Sequence, residues 1–432
     1  MKRTFNFRYA VVFTISYALG IAAFVVCEKS IKIIGILMIF IPVIIGAFVL
    51  LFGKKDFYKT SVVSLAALIV LLAGFFNVKI RYDDFFLGVE DENFSVTAVF
   101  DRDEYSADSG HAYYFTNAKM TSTGGVHRNA KIVVYSDGDA SFSYGDKVTF
   151  SGNFSSFDRR SPSSSYYFSS GVKFRGKSDF YGAEVSGRKF AVFGYIRKWL
   201  ERAIDRGMDD RNAAVAKAML FGNKTELSPA ISSGMQAAGL AHLFAVSGLH
   251  VGIVSGAVYY LLKRLNAGRW IRCIVPIVVS FVYCGICGFS PSSLRALIMF
   301  SIFIVISTKG LKPDMLNVVF TSAALLLIVR PQYLLSYGFL LSYSAVISIV
   351  VMNKPISGLI AFIKEPFRNN IATVVSAQLG VIPLSAAFFG TLSTISIPIN
   401  ILFVPLVSAV FMIVLAGTLL SGITTLSGAF LF

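Results

Sequence analysis

Charged residues are scarce in this chain: they make up 15% of its 432 residues, while 55% are hydrophobic. A soluble globular domain has about 25% charged residues, so the shortage excludes a wholly soluble protein. The hydrophobic residues are gathered into runs of about 20, the length that a helix needs to cross a bilayer. The sequence therefore predicts a polytopic α-helical membrane protein, with about ten spans by this length criterion.

Cysteine is also scarce, because the chain has only four, and none lies in its one extended polar stretch, residues 79–189. No disulfide framework is therefore available to that stretch. Cys284 and Cys287 have the spacing of a metal-binding pair, but no second pair follows, and packing inside a helix is the better interpretation. From residue 227 onward no carboxylate falls inside a predicted span, which argues against a carboxylate-based proton or sodium antiporter. The sequence predicts no metal and no cofactor.

The chain divides into four regions. Residues 1–78 hold three predicted spans, at 8–27, 31–52 and 60–78. Lys and Arg clusters precede the first span and follow the second, so the positive-inside rule predicts a cytoplasmic N-terminus. The polar stretch 79–189 is then extracytoplasmic. The sequence predicts amphipathic helices on the membrane surface for residues 190–238. It predicts a second set of membrane helices for residues 239–432.

Short alternating segments replace the long apolar runs in the polar stretch. Turn sequences such as Ser-Asp-Gly-Asp at 136–139 separate them, which favours strands joined by tight turns. About five short strands in about 100 residues predict a small β-barrel of the OB type. The predicted strands are 94–100, 112–120, 130–135, 147–152 and 172–176.

The later part of this β-domain is rich in basic and aromatic residues. Interleaved cations and aromatic rings are typical of single-stranded nucleic acid binding, through phosphate attraction and base stacking. A solvated β-domain with aromatic residues in its core is the alternative, and the sequence leaves both open. The candidate DNA-binding residues are Arg159, Arg160, Tyr166, Tyr167, Lys173, Arg175 and Lys177.

The most unusual stretch is 239–252, which holds two of the chain's four histidines, a Ser-Gly pair and three glycines between apolar segments. Polar groups at membrane depth are costly and usually functional, and glycines allow a helix to break. We expect a discontinuous segment in which His242, Ser247 and His250 face a cavity. A zinc site lacks a third ligand nearby, and a serine hydrolase using Ser247 with His242 or His250 stays an alternative. A structural or pore-lining role is favoured.

Arg295 stands just inside a predicted span that follows the helix-breaking pair Ser290-Pro291. Facing lipid would be costly, so its side chain is expected to face the helix bundle or a hydrated path, where it could contact a phosphate. The alternative is that it extends to the interface between lipid and water. Further on, Pro398 and Pro405 predict a break in the span at 395–420.

Several stretches, taken in order, resemble the ComEC family of competence membrane proteins. The histidine-serine stretch resembles the family's most specific motif, and Arg295 belongs to a match to its Arg-Ala-x-x-Met element. The β-insert after the first spans also resembles the family's N-terminal OB-like domain. The resembling stretches are 218–228, 242–252, 291–299, 330–332 with 337–345, and the pairs Gln378 with Pro383 and Asn400 with Pro405.

The resemblance implies an inner-membrane channel that passes one strand of incoming DNA into the cytoplasm during natural transformation. It implies as partners a DNA receptor, a cytoplasmic helicase and a nuclease, besides single-stranded DNA and membrane lipids. It implies no catalytic residue in this chain, and an enzyme is not the favoured interpretation. The residues carried over as channel-forming or positioning residues are His242, Ser247, Gly248, His250, Arg295, Ser342 and Asn400.

Two departures from the family pattern concern chemistry. Ser336 stands where an acidic residue is expected before Tyr-Gly-Phe. Many members continue into a metallo-β-lactamase-like domain proposed as the nuclease, and the sequence given holds none. The expectation is either a short form that works with a separate nuclease or a truncated sequence. A hydrolase and a transporter of another polyanion are the alternative functions.

Overall fold

The computed structural model describes most of the chain in separate ranges. The predicted span at 31–52, the candidates Arg159 and Arg160, and the side chain of His242 lie outside the described residues. The described ranges are 9–28, 57–86, 91–106, 110–122, 125–136, 140, 142, 145–158, 164–188, 192–223, 226–244, 246–390 and 395–429.

Helices dominate the described residues, and six strands lie in the chain between α2 and α4, four of them before the short helix α3 and two after it. The helices are α1 (Tyr9–Glu28), α2 (Phe57–Phe85), α3 (Ser164–Ser170), α4 (Val192–Gly207), α5 (Asp210–Phe221), α6 (Pro229–Ala237), α7 (Gly248–Arg264), α8 (Arg269–Ile286), α9 (Pro291–Thr308), α10 (Met315–Val329), α11 (Tyr337–Leu359), α12 (Phe367–Phe389) and α13 (Ser396–Ala429). The strands are β1 (Glu92–Ser106), β2 (Gly110–Ser122), β3 (Gly125–Ser136), β4 (Asp146–Ser156), β5 (Phe174–Lys177) and β6 (Glu184–Arg188). Two 3₁₀ helices cover Ala241–Phe244 and Pro331–Leu335.

The five predicted strands are present as β1 to β5. Their order in the sheet is β1-β2-β3-β5-β4-β6, and a further antiparallel pairing joins β1 to β4. The pairings among β1, β2, β3, β5 and β4 therefore form a closed circuit, in which β3 and β5 run parallel. The sequence did not predict β6 or α3, because β6 is short and glycine-containing, and the aromatic run in α3 suggests a strand.

Strands β2 and β3 are buried on both faces. On β3, Ile132 and Val134 point into the core of the sheet domain, while Val133 points away from it into a second cluster. On β2, Tyr113 points into the core of the sheet domain and Tyr114 into the second cluster, because successive side chains of a strand face opposite sides. The second cluster is where the sheet domain meets the helices.

The sheet domain is packed onto the helices through aromatic rings. Phe168 of α3 lies against Tyr82, Phe85 and Phe86 at the end of α2, with the first two ring centroids at 5.3 and 5.1 Å. The α3 helix also contacts the 3₁₀ helix Pro331–Leu335. Because aromatic pairs add to ordinary apolar burial, this junction holds the sheet domain against the membrane helices.

Small residues let the first two described helices approach closely. A Cβ on Gly20 of α1 would collide with the backbone carbonyl of Leu71 in α2, and one on Gly74 would collide with that of Tyr17. Such close contact between helix backbones is typical of membrane interfaces. Two polar side chains extend the contacts to α10, since Thr14 donates to the Phe320 carbonyl at 2.9 Å and Asn77 to the Ile328 carbonyl at 3.0 Å.

Among the described residues, five helices are long and apolar enough to cross a membrane. Two shorter apolar segments, Ala10–Val26 and Met315–Val329, accompany them. A multi-pass membrane protein with an attached sheet domain is thus the observed architecture, while the number of about ten spans stays a prediction. The five helices are Arg269–Ile286, Pro291–Thr308, Tyr337–Leu359, Phe367–Phe388 and Ser396–Gly422.

The predicted break in the last span is wrong, because α13 runs continuously from Ser396 to Ala429. Pro398 lies in the first turn of α13, where a backbone N–H has no partner within the helix in any case. Pro405 lies inside the helix and leaves the carbonyl of Ile401, four residues earlier, without its usual donor. Asn370 of α12 donates a hydrogen bond from Nδ2 to that carbonyl at 3.0 Å. A side chain of the neighbouring helix thus supplies the hydrogen-bond donor that Pro405 lacks.

Three helices, α4 to α6, lie between the two membrane regions, and their predicted place on the membrane surface stays a prediction. The amphipathic α4 packs Trp199 against Gly422 of α13, and its last exposed residues lead to α5. Gly222 ends α5 in the left-handed conformation, with its N–H bonded to the Ala218 carbonyl. Asp209 occupies the N-cap position of α5, but its carboxylate makes no capping hydrogen bond and accepts instead from Asn212 at 2.6 Å.

Candidate functional site

The stretch 239–252 is discontinuous, as predicted. Gly239 adopts a left-handed conformation with φ at 72°, and the 3₁₀ helix Ala241–Phe244 follows it. A new helix, α7, then begins at Gly248 with Ser247 as its N-cap residue. The break therefore places the Ser-Gly pair at a helix N-terminus inside an apolar surrounding.

Ser247 and His250 hold this N-terminus together as a capping box. The Ser247 N–H donates to His250 Nδ1 at 3.2 Å, and the Ser247 Oγ lies 3.4 Å from the same nitrogen. A capping box normally uses Glu or Gln at the third helical position, and here an imidazole takes that place. The two side chains thus satisfy backbone groups that the break leaves open.

The surroundings of His250 are those of a packed side chain. It is 1% exposed, and its ring stacks on Phe411 of α13 with centroids 4.7 Å apart. A serine nucleophile needs its base within about 2.6–3.2 Å, and Nδ1 already accepts the Ser247 N–H. The arrangement therefore supports the structural interpretation over a hydrolase using Ser247 with His250.

Gly248 connects this cluster to α9. A Cβ built on Gly248 would lie 3.5 Å from the Ala296 Cβ, and Ala296 is the neighbour of Arg295. The N-terminus of α7 and the second turn of α9 are thus in contact. The structure brings Ser247, Gly248 and His250 together and sets Arg295 on the adjoining helix.

Arg295 is 4% exposed and faces the helix bundle, as predicted. Its guanidinium carbon lies 6.0 Å from the centre of the Tyr343 ring on α11. Its Nε and Nη1 are buried and donate no hydrogen bond to any of the described residues. A buried cation is costly unless it is paired, so this guanidinium is suited to an anion that none of the described side chains supplies.

Tyr343 is held in place by a second hydroxyl. Its OH lies 3.0 Å from Ser322 Oγ of α10, and both side chains are buried. Ser342, a predicted path residue, precedes Tyr343 in α11 and is half-buried. Sequence reasoning missed Tyr343, and the aromatic residue within the family-like element at 337–345 was the available signal.

A second arginine–tyrosine pair lies at the junction with the sheet domain. Arg330 is exposed, and its Nη1 donates to the Tyr333 hydroxyl at 3.0 Å. Tyr333 is buried in the same cluster as Tyr343 and belongs to the 3₁₀ helix that α3 contacts. An exposed cation therefore stands where the sheet domain meets the bundle that contains Arg295.

Asn400 is buried in α13, 3% exposed. Its Nδ2 donates to the Ser396 carbonyl at 2.8 Å, and its Oδ1 is a buried acceptor without a partner among the described residues. Asn400 precedes Phe411 by three helical turns, about 16 Å, and lies on the same face of α13. It is therefore set along the helix from His250 and not beside it.

The predicted DNA-binding residues of the sheet domain separate into two groups. Tyr167 is half-buried, with its ring stacked on Phe157 at 4.3 Å and its hydroxyl bonded to Tyr135. Burial and this hydrogen bond raise the pKa of Tyr167. Lys173 pairs with Asp84 at the end of α2. The exposed group on the described surface is Tyr166, Arg175 and Lys177.

Residues 171–178 match the GxxxxGK[ST] pattern of a phosphate-binding loop. The structure gives it another explanation. Residues Phe174–Lys177 form β5, whose backbone is paired with β3 and β4. Gly176 makes room for the Phe154 ring, which would lie 2.5 Å from a Cβ there. A phosphate-binding loop precedes a helix and offers free N–H groups, and this strand does neither.

A family model for competence proteins matches residues 219–432. ComE operon protein 3 of Bacillus subtilis is 27% identical over 223 residues, which are 52% of this chain and 28% of that protein. Recombination protein 2 of Haemophilus influenzae is 28% identical over 275 residues, which are 59% of this chain and 33% of that protein. An uncharacterised protein of Aquifex aeolicus is 27% identical over 227 residues, which are 52% of this chain and 51% of that protein.

The matched region spans about half or less of each of these relatives. No solved structure matches this chain. The matched residues begin within α5 and include the helix break, Arg295 and the last helices, so they cover the membrane site described above.

The fold and the site define a competence-type membrane protein that carries a sheet domain. Within that class, the chain belongs to the ComEC family.

Proposed function

We propose that this protein provides a path across the cell membrane for single-stranded DNA during natural transformation. The observation that carries the proposal is Arg295, a buried guanidinium whose Nε and Nη1 have no partner among the described residues. Ionisable groups at membrane depth mark ligand or ion pathways. A phosphodiester supplies the missing acceptor, because a guanidinium binds phosphate oxygens well.

The aromatic residues beside the guanidinium support the same ligand. Tyr343 lies against Arg295, and Tyr333 pairs with the exposed Arg330. Single-stranded nucleic acid is bound by cations that track the phosphates and by rings that stack on the bases. Arg330 would meet the strand at the sheet-domain junction, and Arg295 would meet it inside the bundle.

The sheet domain would receive the strand. We propose that its five-strand circuit is an OB-like barrel, the class of fold that binds oligonucleotides. Tyr166, Arg175 and Lys177 are exposed on it and suit the contact. By the positive-inside rule this domain is extracytoplasmic and the N-terminus cytoplasmic. A DNA receptor, a cytoplasmic helicase and a separate nuclease are the expected partners.

Uptake of labelled DNA into a competent host tests the proposal. The host's own copy is deleted and replaced by wild type, Arg295→Gln, Arg295→Lys or Arg272→Gln. Arg272 is a half-buried arginine in the first turn of α8, so its variant is the matched control. We expect Arg295→Gln to lower DNase-resistant label by about tenfold or more, since one charge-assisted contact is lost. Arg295→Lys should retain part of the uptake, and Arg272→Gln most of it.

Two results would contradict the proposal. Normal DNA uptake in the deletion strain would exclude a DNA role altogether and favour another polyanion. Normal uptake by Arg295→Gln, with membrane protein at the wild-type level on immunoblots, would show that Arg295 serves packing alone.

A further inference from the structure

A cavity of about 390 Å³ lies between the end of α9 and the start of α10. This volume falls within the range of about 300–1,000 Å³ that is usual for small-molecule sites. Ile302, Ile306 and Val318 form its apolar side, and Lys312, Asp314 and Asn317 supply polar groups. Ile306 is about 16 Å along α9 from Arg295, so this cavity is separate from the proposed DNA path.

The cavity opens where two membrane helices end. The apolar α9 ends at Thr308, the apolar α10 begins at Met315, and a polar connection joins them. Lipid headgroups lie at this depth, just outside the hydrocarbon core. A ligand there would place its chains against the isoleucines and its head among the polar side chains.

Three polar side chains of the cavity determine which lipid headgroup it can bind. Lys312 is exposed and cationic, and it suits a phosphate. Asp314 caps α10 by accepting the Leu316 N–H at 3.0 Å, and its negative charge stands beside the cavity. Asn317 Oδ1 is a buried acceptor that has no partner among the described residues, so it gains a hydrogen bond when a donor reaches it.

We propose that this cavity binds phosphatidylethanolamine. Its phosphate matches Lys312, its ammonium group carries the N–H donors and positive charge that Asn317 and Asp314 can accept, and its chains match the apolar side. Phosphatidylglycerol has hydroxyl donors but no cation to place beside Asp314. Phosphatidylcholine has a cation without N–H donors. The site therefore discriminates between headgroups of similar size.

Native mass spectrometry of the full-length protein in detergent, titrated with each of the three lipids, tests the proposal. We expect phosphatidylethanolamine to bind about tenfold more tightly than phosphatidylcholine, the factor given by one charge-assisted hydrogen bond. Phosphoethanolamine without chains should bind more weakly than the lipid, which separates a lipid site from a simple phosphate site.

Variants locate the binding. Asn317→Leu should lose most of the preference for phosphatidylethanolamine, because Asn317 accepts from the ammonium group. Lys312→Gln should weaken the binding of all three lipids, because all three carry the phosphate. Lys309→Gln, at an exposed lysine that does not line the cavity, should change neither. The thermal midpoint of each variant in phosphatidylcholine shows whether it is folded. If Asn317→Leu is not folded, the lipid binding of Lys312→Gln is the deciding result. Equal binding of phosphatidylethanolamine and phosphatidylcholine to the wild type, a full preference retained in folded Asn317→Leu, or unchanged lipid binding by Lys312→Gln would overturn the proposal.

Discussion

At the scale of the residue, the membrane site combines side chains with different tasks. Ser247 and His250 satisfy the backbone of a broken helix, while Arg295 brings a charge that no described side chain neutralises. The first pair explains how an apolar region can contain a helix break, because freed backbone groups must find partners there. The arginine is the group that is suited to an external ligand.

The capping role of Ser247 is directly testable. Ser247→Ala removes the cap hydroxyl and should lower the free energy of unfolding by about 1 kcal/mol, with DNA uptake largely kept. Ser247→Asn restores a capping side chain and should recover most of the loss. Thermal unfolding of the purified variants in detergent measures the first effect, and labelled-DNA uptake measures the second.

A hydrolase would behave differently. Its activity would depend on the serine hydroxyl as nucleophile, and asparagine would not replace it. If Ser247→Ala abolished function while the protein remained as stable as wild type, the structural role of Ser247 would be disproved.

At the scale of the element, α11 and α12 show how helices pack here without large apolar side chains. Ser344 donates to the Gly380 carbonyl at 3.0 Å, and Ser348 donates to the Ser376 carbonyl at 2.6 Å. A Cβ on Gly380 would lie 2.5 Å from the Ser344 carbonyl oxygen. Small residues and hydroxyl bonds therefore join this pair, as is common between membrane helices.

The hydrogen bond between Asn370 and the Ile401 carbonyl of α13 leads to a prediction about stability. Asn370→Leu should leave the Ile401 carbonyl without a donor and lower the free energy of unfolding by about 1–3 kcal/mol. Pro405→Ala restores a backbone N–H for the same carbonyl, so the double variant should recover much of that loss. Thermal unfolding in detergent measures all three variants.

Asn369→Leu is the matched control, because Asn369 is exposed and adjacent to Asn370. Its effect should be small. A double variant no more stable than Asn370→Leu alone would mean that the 3.0 Å contact between Asn370 and Ile401 is not what maintains α13.

At the scale of the whole molecule, the sheet domain and the membrane helices share a core. Tyr114, Val133 and Phe168 from the sheet domain and Tyr17, Phe24 and Phe85 from α1 and α2 belong to one buried cluster. Tyr333 and Tyr343 belong to it as well. The proposed receiving domain is thus fixed next to the arginine–tyrosine pairs of the bundle.

Phe168→Ala should loosen this junction. Removing a buried phenylalanine costs about 3–5 kcal/mol, and the loss falls on the contact with Tyr82, Phe85 and Phe86. Hydrogen–deuterium exchange should become faster at the end of α2 and at Pro331–Leu335, while the core of the sheet domain keeps its protection.

Tyr166→Ala is the control, since Tyr166 lies on the same helix but is exposed. It should leave the exchange at the junction unchanged. Equal exchange in Phe168→Ala and wild type would show that the ring contacts do not hold the two parts together.

Much of the fold was predictable because it depends on local patterns. The strands β1 to β5 follow alternating residues between turns, and the start of α9 follows Ser290 and Pro291, a capping side chain and a proline at the first helical position. The sequence could not predict that α13 is continuous, because the donor to Ile401 is a side chain of another helix. It could not predict β6 either, since that strand exists through its pairing with β4.

The sequence by itself determined that this is a membrane protein of the ComEC family with a sheet domain, and it pointed to Ser247, His250 and Arg295. Composition and periodicity predict the membrane helices and the strands, because burial in lipid and strand alternation act on each segment separately. The resemblance to the family depends instead on the motifs around these residues. Only the tertiary structure decided that His250 caps a helix, that Tyr167 and Lys173 are engaged within the protein, and that Arg295 faces Tyr343. Those properties depend on which distant side chain comes into contact, and that is decided only when the helices and the sheet pack together.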